Sequence, residues 1–403
     1  MTFYHAFAFA LGFLDLFAIS MIAPHTADNS KRKGYSPFMY GLAGTAYGVL
    51  QTFSSPAYGG FSDIHGRKVG ILLAFGLSGL VYLWLGFIDD VVFFVIARAM
   101  LGTVKHTQTM TKAYICDITP KDEHAATLGR FYAISSAGFI VGPLVGAHIG
   151  SFEQNCVLAA GIFFASGLGS YLVLPDTPPA SRVATESRHR VAAETRNETP
   201  SPESVVALFR SVDWTRYWDL FCGRLLLATA VGLYRANLNF LLMSMYSLTT
   251  RQIGYVTSLM GCVAAASGFL VAPTFAVANR DSCCVLVACG CVLSASLFLL
   301  YSATNMSLVV VLLLVFQLSA SLARSFGLEA VLNRSSGSSG VGLLHGAMQS
   351  VSSVSRGIIP LLGGVLQGVS AGLPALASAT LAFAGSLIFV YSRTRQAARL
   401  KRD

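Results

Sequence analysis

Charged residues are scarce in this sequence, and their scarcity excludes an ordinary soluble protein. Asp, Glu, Lys and Arg make up 12% of the 403 residues, whereas hydrophobic residues make up 54%. Soluble globular domains usually contain about 25% charged residues. The apolar residues instead fall into runs of about 20, the length of a helix that crosses a bilayer. Such helices satisfy their own backbone hydrogen bonds, so the composition predicts an all-α polytopic membrane protein.

Other absences exclude further classes of function. The sequence contains no Gly-x4-Gly-Lys-Ser/Thr loop, so ATP-driven pumping is not expected, and no pattern indicates an enzyme or a cofactor. Four cysteines share one apolar run that holds no His or acidic residue, namely Cys283, Cys284, Cys289 and Cys291. We expect them to pack as small hydrophobic residues and not to bind a metal. The net charge of +9 requires no nucleic acid, because most Lys and Arg residues lie in segments predicted to be cytoplasmic.

Twelve apolar runs are long enough to span a membrane. They are 3–24, 38–60, 69–88, 90–112, 128–150, 155–174, 217–245, 251–277, 283–302, 306–330, 340–368 and 371–391. The first run has no basic region before it and no small-residue cleavage site after it, so we interpret it as a spanning helix and not as a signal peptide.

These runs predict two six-helix halves, residues 1–174 and 217–392. The stretch 175–216 is rich in Pro, Ser, Thr, Glu and Arg and is expected to be a flexible cytoplasmic linker. Residues 393–403 form a short basic tail. The distribution of Lys and Arg places both termini in the cytoplasm, with Lys31-Arg32-Lys33 in the first outer loop as the exception.

The two halves repeat one another. A shift of 217 residues, the difference between Gly44 and Gly261, also matches three other helix-perturbing residues in the two halves, carrying Pro56 to Pro273, Pro143 to Pro360 and Gly146 to Gly363. Such matches in separate helices predict two parallel six-helix repeats around a central cavity.

The stretch Gly59–Lys68 reads Gly-x3-Asp-x2-Gly-Arg-Lys between two apolar runs. It resembles the loop between helices 2 and 3 of the major facilitator superfamily. Gly59 and Gly66 are expected to allow a close turn, across which Asp63 and Arg67 can pair. The resemblance implies a gate in which Asp63, Arg67 and Asp117 form a charge relay at the ends of helices 2 to 5, with Lys68 beside it. The alternative is a short solvated, positive-inside loop.

Two further stretches resemble the drug/proton antiporter branch of that superfamily, which includes tetracycline-efflux proteins. They are Gly12-Phe13-Leu14-Asp15 through Pro24 and Gly138-x3-Gly142-Pro143-x2-Gly146. Arg98-x3-Gly102 resembles the buried arginine motif of the superfamily as a whole. Lys105-His106-Thr107 is similar to an orphan vertebrate member. The glycines of helices 5 and 11 allow neighbouring backbones to approach, and Pro143 and Pro360 loosen the hydrogen-bond ladder. We expect helix bends at Gly138, Gly142, Pro143, Gly146, Pro360 and Gly363.

Asp15 lies halfway along the first predicted span, where a charge costs about 2.5–3.5 kcal/mol on insertion scales. Arg98 and Lys105 lie two turns apart on one face of the fourth span, and His106 follows. Burial favours the neutral form of a carboxyl group and a nearby cation favours the ionised form. This opposition predicts a proton-coupling site at Asp15, Arg98, Lys105 and His106. The alternative is a fixed Asp15–Arg98 ion pair that only pins two helices.

Arg235 and Arg356 lie within spans of the second half that hold no acidic residue at comparable depth. Buried arginines of this kind predict an anionic ligand group in a substrate cavity. The alternative is hydrogen bonding to helix carbonyls or to nearby asparagines. The other candidate cavity residues are Tyr47, Gln51, Tyr234 and Asn239.

These patterns predict a secondary active transporter that moves a small organic solute by alternating access as a monomer in the lipid bilayer. Coupling to protons is predicted, with antiport favoured. Two alternatives remain, an uncoupled facilitator and a transport-inactive membrane sensor or scaffold. The predicted partners are a small solute, protons and lipid, without nucleic acid, metal or enzymatic activity.

Overall fold

The computed structural model describes residues 3–120, 123–175, 214–278, 281–334 and 357–400. Throughout these ranges the regular structure is helical, without a β-strand. Arg356 lies outside the described residues, and so does the predicted linker apart from its two ends.

Fourteen helices lie in the described ranges. Two of the predicted spans, 90–112 and 217–245, each overlap two helices, and each of the other ten overlaps one helix. The first seven are α1 (Phe3–Arg32), α2 (Pro37–His65), α3 (Arg67–Gly86), α4 (Val91–Val104), α5 (Thr107–Asp117), α6 (His124–Gly146) and α7 (Phe152–Val173). The others are α8 (Trp214–Ala236), α9 (Leu238–Tyr246), α10 (Thr250–Val277), α11 (Ser282–Ser302), α12 (Met306–Arg334), α13 (Gly357–Val369) and α14 (Leu373–Leu400).

Most of these helices have the length and composition needed to cross a membrane. Within the described ranges, 8 single helices pass that test, and α8 with α9 would form a ninth as a bent pair. The all-α, multi-pass architecture predicted from the composition is therefore confirmed.

The helices group into two compact units. The first contains α1 to α7 together with Leu242–Gly261, and the second contains the rest of the described chain from α8 onward. The predicted boundaries of the two halves, at 174 and 217, stay a prediction.

A single residue, Gly66, separates α2 from α3. Its φ of 96° lies in the region that favours glycine. The turn is thus shorter than the predicted stretch Gly59–Lys68, because α2 continues to His65. Gly59 lies inside that helix, with open space around the position of a side chain, so the expectation that Gly59 shapes the turn is wrong.

The fourth predicted span, 90–112, is broken. α4 ends at Val104 and α5 begins at Thr107, while Lys105 (φ −83°, ψ 76°) and His106 (φ −112°, ψ 19°) have non-helical backbones. A second break lies in the predicted span 217–245, where α8 and α9 meet at an angle of 56°. Such breaks are tolerated in a membrane when side chains satisfy the freed backbone groups.

The first span is longer than predicted, because α1 continues to Arg32. Its polar final turns are stabilised by packing inside the first unit. His25 Nε2 lies 2.7 Å from the carbonyl oxygen of Gly146, and Thr26 Oγ1 donates to the carbonyl of Ile22 at 3.0 Å. Lys31 and Arg32 therefore belong to the last turn of a helix and not to a loop.

Helices α1 and α6 pack in close contact within the first unit. A side chain at Gly138 would overlap the backbone of Phe13, and a Cβ atom at Gly142 would lie 2.6 Å from the carbonyl oxygen of Phe17. Glycine at these positions lets the two backbones touch, as expected for helix packing in membranes.

Candidate functional site

Asp15 lies on α1 and is buried, with 1% of its surface exposed. Its Oδ1 accepts hydrogen bonds from Lys105 Nζ at 2.7 Å and from Thr107 Oγ1 at 2.8 Å. Its Oδ2 accepts one from Gln108 Nε2 at 2.9 Å. Both carboxylate oxygens are therefore held by donors, which is what a buried charge requires.

The break between α4 and α5 produces this arrangement. Lys105 lies in the break, with its ammonium buried and 3.2 Å from Thr107 Oγ1. Thr107 and Gln108 are the first two residues of α5, so the Asp15 carboxylate lies at the amino-terminal end of a helix, where the helix dipole favours a negative charge. The Lys105 ammonium also lies 5.3 Å from the centroid of the Phe163 ring. We refer to Asp15, Lys105, Thr107 and Gln108 as the buried ion-pair network.

Arg98 does not join this network. Its guanidinium carbon lies 5.1 Å from the centroid of the Tyr47 ring, a cation–π geometry. The Asp15–Arg98 ion pair that the sequence left open is therefore wrong, and Lys105 is the cation that pairs with Asp15. The expectation placed Arg98 and Lys105 on one face of a continuous helix, whereas Lys105 lies beyond the end of α4.

Side chains of α2 form hydrogen bonds with Lys105 and His106, the two residues of the break. Gln51 Nε2 donates to the carbonyl of Lys105 at 3.1 Å and to Tyr47 Oη at 2.9 Å. Ser54 Oγ lies 2.8 Å from His106 Nε2. Tyr47 and Gln51, predicted to line a substrate cavity, thus support the unwound segment of the first unit.

His106 is enclosed by the same helix. It is 2% exposed, and its ring centroid lies 4.9 Å from that of Tyr58. Its ring contacts Ser54 and Tyr58, and no hydrogen bond to Asp15 occurs among the described residues. Its predicted role in proton exchange stays a prediction.

The turn between α2 and α3 brings three predicted gate residues together. Arg67 Nε donates to Asp117 Oδ2 at 2.7 Å, and Arg67 also forms an ion pair with Asp63. A third contact runs from Arg67 Nη1 to Ser62 Oγ at 2.7 Å. Lys68 faces elsewhere, with its ammonium 5.3 Å from the centroid of the Tyr171 ring. We call Asp63, Arg67 and Asp117 the turn cluster.

The predicted helix-bend residues divide between the two units. Gly138, Gly142 and Gly146 face α1 at close range. Pro143 lies inside α6, and Pro360 lies inside α13. A Cβ atom at Gly363 would lie 3.4 Å from the carbonyl oxygen of Leu233, a looser contact. Whether these residues bend their helices during function stays a prediction.

The second unit contains a cavity of about 630 Å³ between α8, α11, α12, α13 and α14. Three arginines line it, Arg224 and Arg235 from α8 and Arg324 from α12. Its apolar wall includes Leu227, Val231, Ile359 and Phe389. We call it the arginine cavity.

Only Arg235, among the described candidates for the substrate cavity, lines the arginine cavity. Tyr234 is buried instead, with its ring 5.3 Å from that of Phe316. Asn239 follows on α9 and is not among the described lining residues.

Sequence reasoning missed several residues of both sites. Thr107 and Gln108 hold Asp15, Ser54 and Tyr58 enclose His106, and Arg324 lines the cavity. A signal for the first pair was present, because Lys105-His106-Thr107-Gln108-Thr109 is a polar run inside a predicted span. No cluster of three or more His, Cys, Asp or Glu residues able to hold a metal ion occurs in the part of the chain that is described.

Comparison with protein families decides the classification. A family model described as the Major Facilitator Superfamily matches residues 6–360. The chain belongs to this superfamily. The membership confirms the predicted fold class, an all-α polytopic membrane protein of the major facilitator type.

Relatives within the superfamily include drug-resistance proteins. The chain is 25% identical over 240 residues to human "Solute carrier family 67 member A1", covering 58% of this chain and 55% of that one. It is 28% identical over 199 residues to the "Tetracycline resistance protein, class E" of Escherichia coli, covering 48% of each. The chain thus spans about half the length of these relatives. The suggested similarity to an orphan vertebrate member stays a prediction.

Solved structures show the same fold at low sequence identity. The human organic anion transporter MFSD10 (TETRAN) aligns with a TM-score of 0.62 and 19% identity, covering 96% of this chain and 100% of that one. The nucleoside transporter NupG aligns with a TM-score of 0.72 and 13% identity, covering 97% and 99%. At such identities the likeness is one of fold alone.

Proposed function

We propose that this protein is a secondary active transporter that moves a small organic solute across a membrane by alternating access, coupled to protons. Membership of the superfamily supports the general activity. The observation that carries the coupling is the buried ion-pair network. Asp15 and Lys105 lie at 1% and 5% exposure, and the lysine belongs to an unwound segment between two helices.

This arrangement can respond to protonation. With Asp15 ionised, Lys105, Thr107 and Gln108 all donate to it. A proton on Asp15 would remove the attraction for Lys105 and leave an unbalanced buried ammonium, which is costly. Because Lys105 is not held in a regular helix, α4 and α5 can then shift relative to each other. Proton binding and helix movement are coupled in this way.

The turn cluster would act as a gate that opens and closes with these movements. Arg67 contacts Asp63 on α2 and Asp117 at the end of α5. A displacement of α5 therefore breaks or re-forms the Arg67–Asp117 contact. We place both termini on the cytoplasmic side, because most Lys and Arg residues then follow the positive-inside rule, and we propose that the monomer is the functional unit.

Reconstituted vesicles test the proposal. The purified full-length chain is assayed with radiolabelled organic anions, organic cations and nucleosides under an imposed pH gradient. Asp15→Asn should abolish accumulation driven by the gradient but spare downhill exchange, because it removes the titrating group and keeps the side-chain shape. The matched control is Asp89→Asn, since the Asp89 side chain is 93% exposed and its ion pair within the described part of the chain is with Lys33 at 3.0 Å.

The outcomes separate the alternatives. Accumulation that remains pH-driven in the Asp15→Asn variant would rule out Asp15 as the coupling site. Exchange that is independent of pH in the wild-type protein would identify an uncoupled facilitator. Absence of exchange for every solute class would favour the sensor or scaffold interpretation.

A further inference from the structure

The arginine cavity carries a charge that its described walls do not balance. Three of its lining residues are arginines, and none of the lining residues that the structure describes is Asp or Glu. Arg224 and Arg235 are eleven residues apart on α8, which is three helical turns and therefore one face. Arg324 adds its charge from α12, and its field acts unfavourably on both of the others.

Arg235 is the arginine best placed to bind a ligand. Its guanidinium makes no hydrogen bond or ion pair with any residue in the described part of the chain. A guanidinium provides five N–H donors in a fixed plane, and inside a protein these groups normally have acceptors. An anionic ligand would supply acceptors and would also relieve the repulsion from Arg324.

Arg224 is held at the wall of the cavity. Its Nη1 donates to the carbonyl of Arg324 at 3.4 Å. A Cβ atom at residue 327 would lie 2.8 Å from the same Nη1, so glycine at 327 leaves room for the guanidinium. Arg224 therefore adds a positioned positive charge, whereas Arg235 keeps its donors available.

The rest of the cavity suits an apolar body. Its volume of about 630 Å³ falls within the range of about 300–1,000 Å³ that is typical of sites for small organic molecules. Leu227, Val231, Leu286, Ile359 and Phe389 give it an aliphatic and aromatic wall. An inorganic anion would leave most of this wall without contacts.

We infer that the arginine cavity binds the transported solute and that this solute is an amphipathic organic anion, with a carboxylate, sulfonate or sulfate head and an apolar body. The head binds Arg235 within the positive field of Arg224 and Arg324, and the body packs on the apolar wall. This inference rests on the proposed transport function and specifies its substrate class. The same chemistry is offered by the headgroup of an anionic lipid, which the test must distinguish.

The test measures binding and not transport, so that its failure is separate from a failure of proton coupling. The full-length protein in phosphatidylcholine nanodiscs is titrated calorimetrically with naphthalene-2-sulfonate. The comparison ligands are naphthalene-2-methanol, which is uncharged, and 2-naphthylmethyl-trimethylammonium, which is a cation. We expect the sulfonate to bind at least tenfold more tightly than either.

Variants then locate the site. Arg235→Gln should weaken sulfonate binding about tenfold or more, because it removes a charge-assisted contact. Arg235→Lys should weaken it less, since the charge remains while the planar fork is lost. One substitution should leave the affinity within about twofold, namely Arg251→Gln, which alters an exposed arginine that does not line the cavity.

Three results would overturn the inference. The first is that naphthalene-2-sulfonate binds no more tightly than naphthalene-2-methanol, or does not bind at all. The second is an Arg235→Gln variant with unchanged affinity. The third is loss of sulfonate binding in proportion to phosphatidylglycerol added to the nanodiscs, which would identify a lipid headgroup as the occupant. Affinity unchanged by phosphatidylglycerol supports a soluble solute.

Discussion

The two units of the molecule place charge inside spanning helices in opposite ways. In the first unit Asp15 and Lys105 balance each other, and every oxygen of the carboxylate has a donor. In the second unit three arginines line a cavity whose described walls hold no acidic residue. The shift of 217 residues that relates the halves carries Asp15 to Gly232 and Thr107 to Arg324. The repeat thus preserves the helical frame while the charges on it differ.

The backbone conformation also differs between the two units at positions that the 217-residue shift relates. The shift carries Lys105 to Leu322 and His106 to Ala323. These apolar residues lie inside α12, which continues without interruption from Met306 to Arg334. A broken helix thus occurs where the sequence is polar and where Gln51 and Ser54 donate to the backbone carbonyls of Lys105 and Gly102. An unbroken helix occurs where the sequence is apolar.

The largest expected effect is on stability, and it distinguishes the Asp15–Lys105 ion pair of the first unit from Arg235 of the second. Lys105→Met should lower the free energy of unfolding by about 3–5 kcal/mol, because it leaves the Asp15 carboxylate buried without its cation. Arg235→Met should cost much less, since Arg235 has no partner among the described residues that would be left unpaired. Denaturant titration of the detergent-solubilised protein measures both values.

A control addresses the cause of the Lys105 effect. Adding Asp15→Asn to Lys105→Met should recover much of the lost stability, because the unpaired charge is then absent. Equal losses for Lys105→Met and Arg235→Met would contradict the difference between the two units.

The second effect compares the repeat-related glycines Gly146 and Gly363. A Cβ atom at Gly146 would lie 2.7 Å from Met21 Cγ and would overlap the Met21 carbonyl, whereas at Gly363 the nearest atoms lie at 3.4 Å. Gly146→Ala should therefore destabilise the protein by about 1–3 kcal/mol, as overpacking does, and Gly363→Ala should have a smaller effect. Thermal unfolding monitored by circular dichroism measures the difference. A larger loss for Gly363→Ala would show that the helix packing of the two units is not as described.

The smallest effect on stability concerns two partly exposed ion pairs. Asp63→Asn in the turn cluster and Arg393→Gln, which breaks the pair with Asp281, should each cost at most about 1 kcal/mol. Only Asp63→Asn should change the labelling rates of single-cysteine probes placed along α4 and α5, because the proposed gate lies in the first unit. Identical labelling rates in both variants would remove the gating role of Asp63.

The number and order of the spanning helices were largely predictable, because the lengths of the apolar runs and the 217-residue repeat can be read directly from the sequence. Pro56, Pro143 and Pro273 lie inside helices, as does Pro360. The candidate site was predictable only in part. Hydropathy identified Asp15 and Lys105 as buried charges, but it merged α4 and α5 into one span because it does not report backbone conformation. The choice between Arg98 and Lys105 depended on that backbone, and the spacing rule for a continuous helix did not apply.

The one-residue turn at Gly66 also bears on how inherited sequence variants of this protein should be interpreted. At φ 96° and ψ 149° Gly66 lies close to a region that is essentially restricted to glycine, so another residue there would cost about 1–3 kcal/mol, and the alternative is to unwind the end of α2 or the start of α3. Asp63 lies in the last turn of α2 and Arg67 is the first residue of α3. A missense change at Gly66 would therefore separate two charges that it does not touch. Such a variant should lose the proposed gate even where it reaches the membrane, and expression screening alone would not detect that loss.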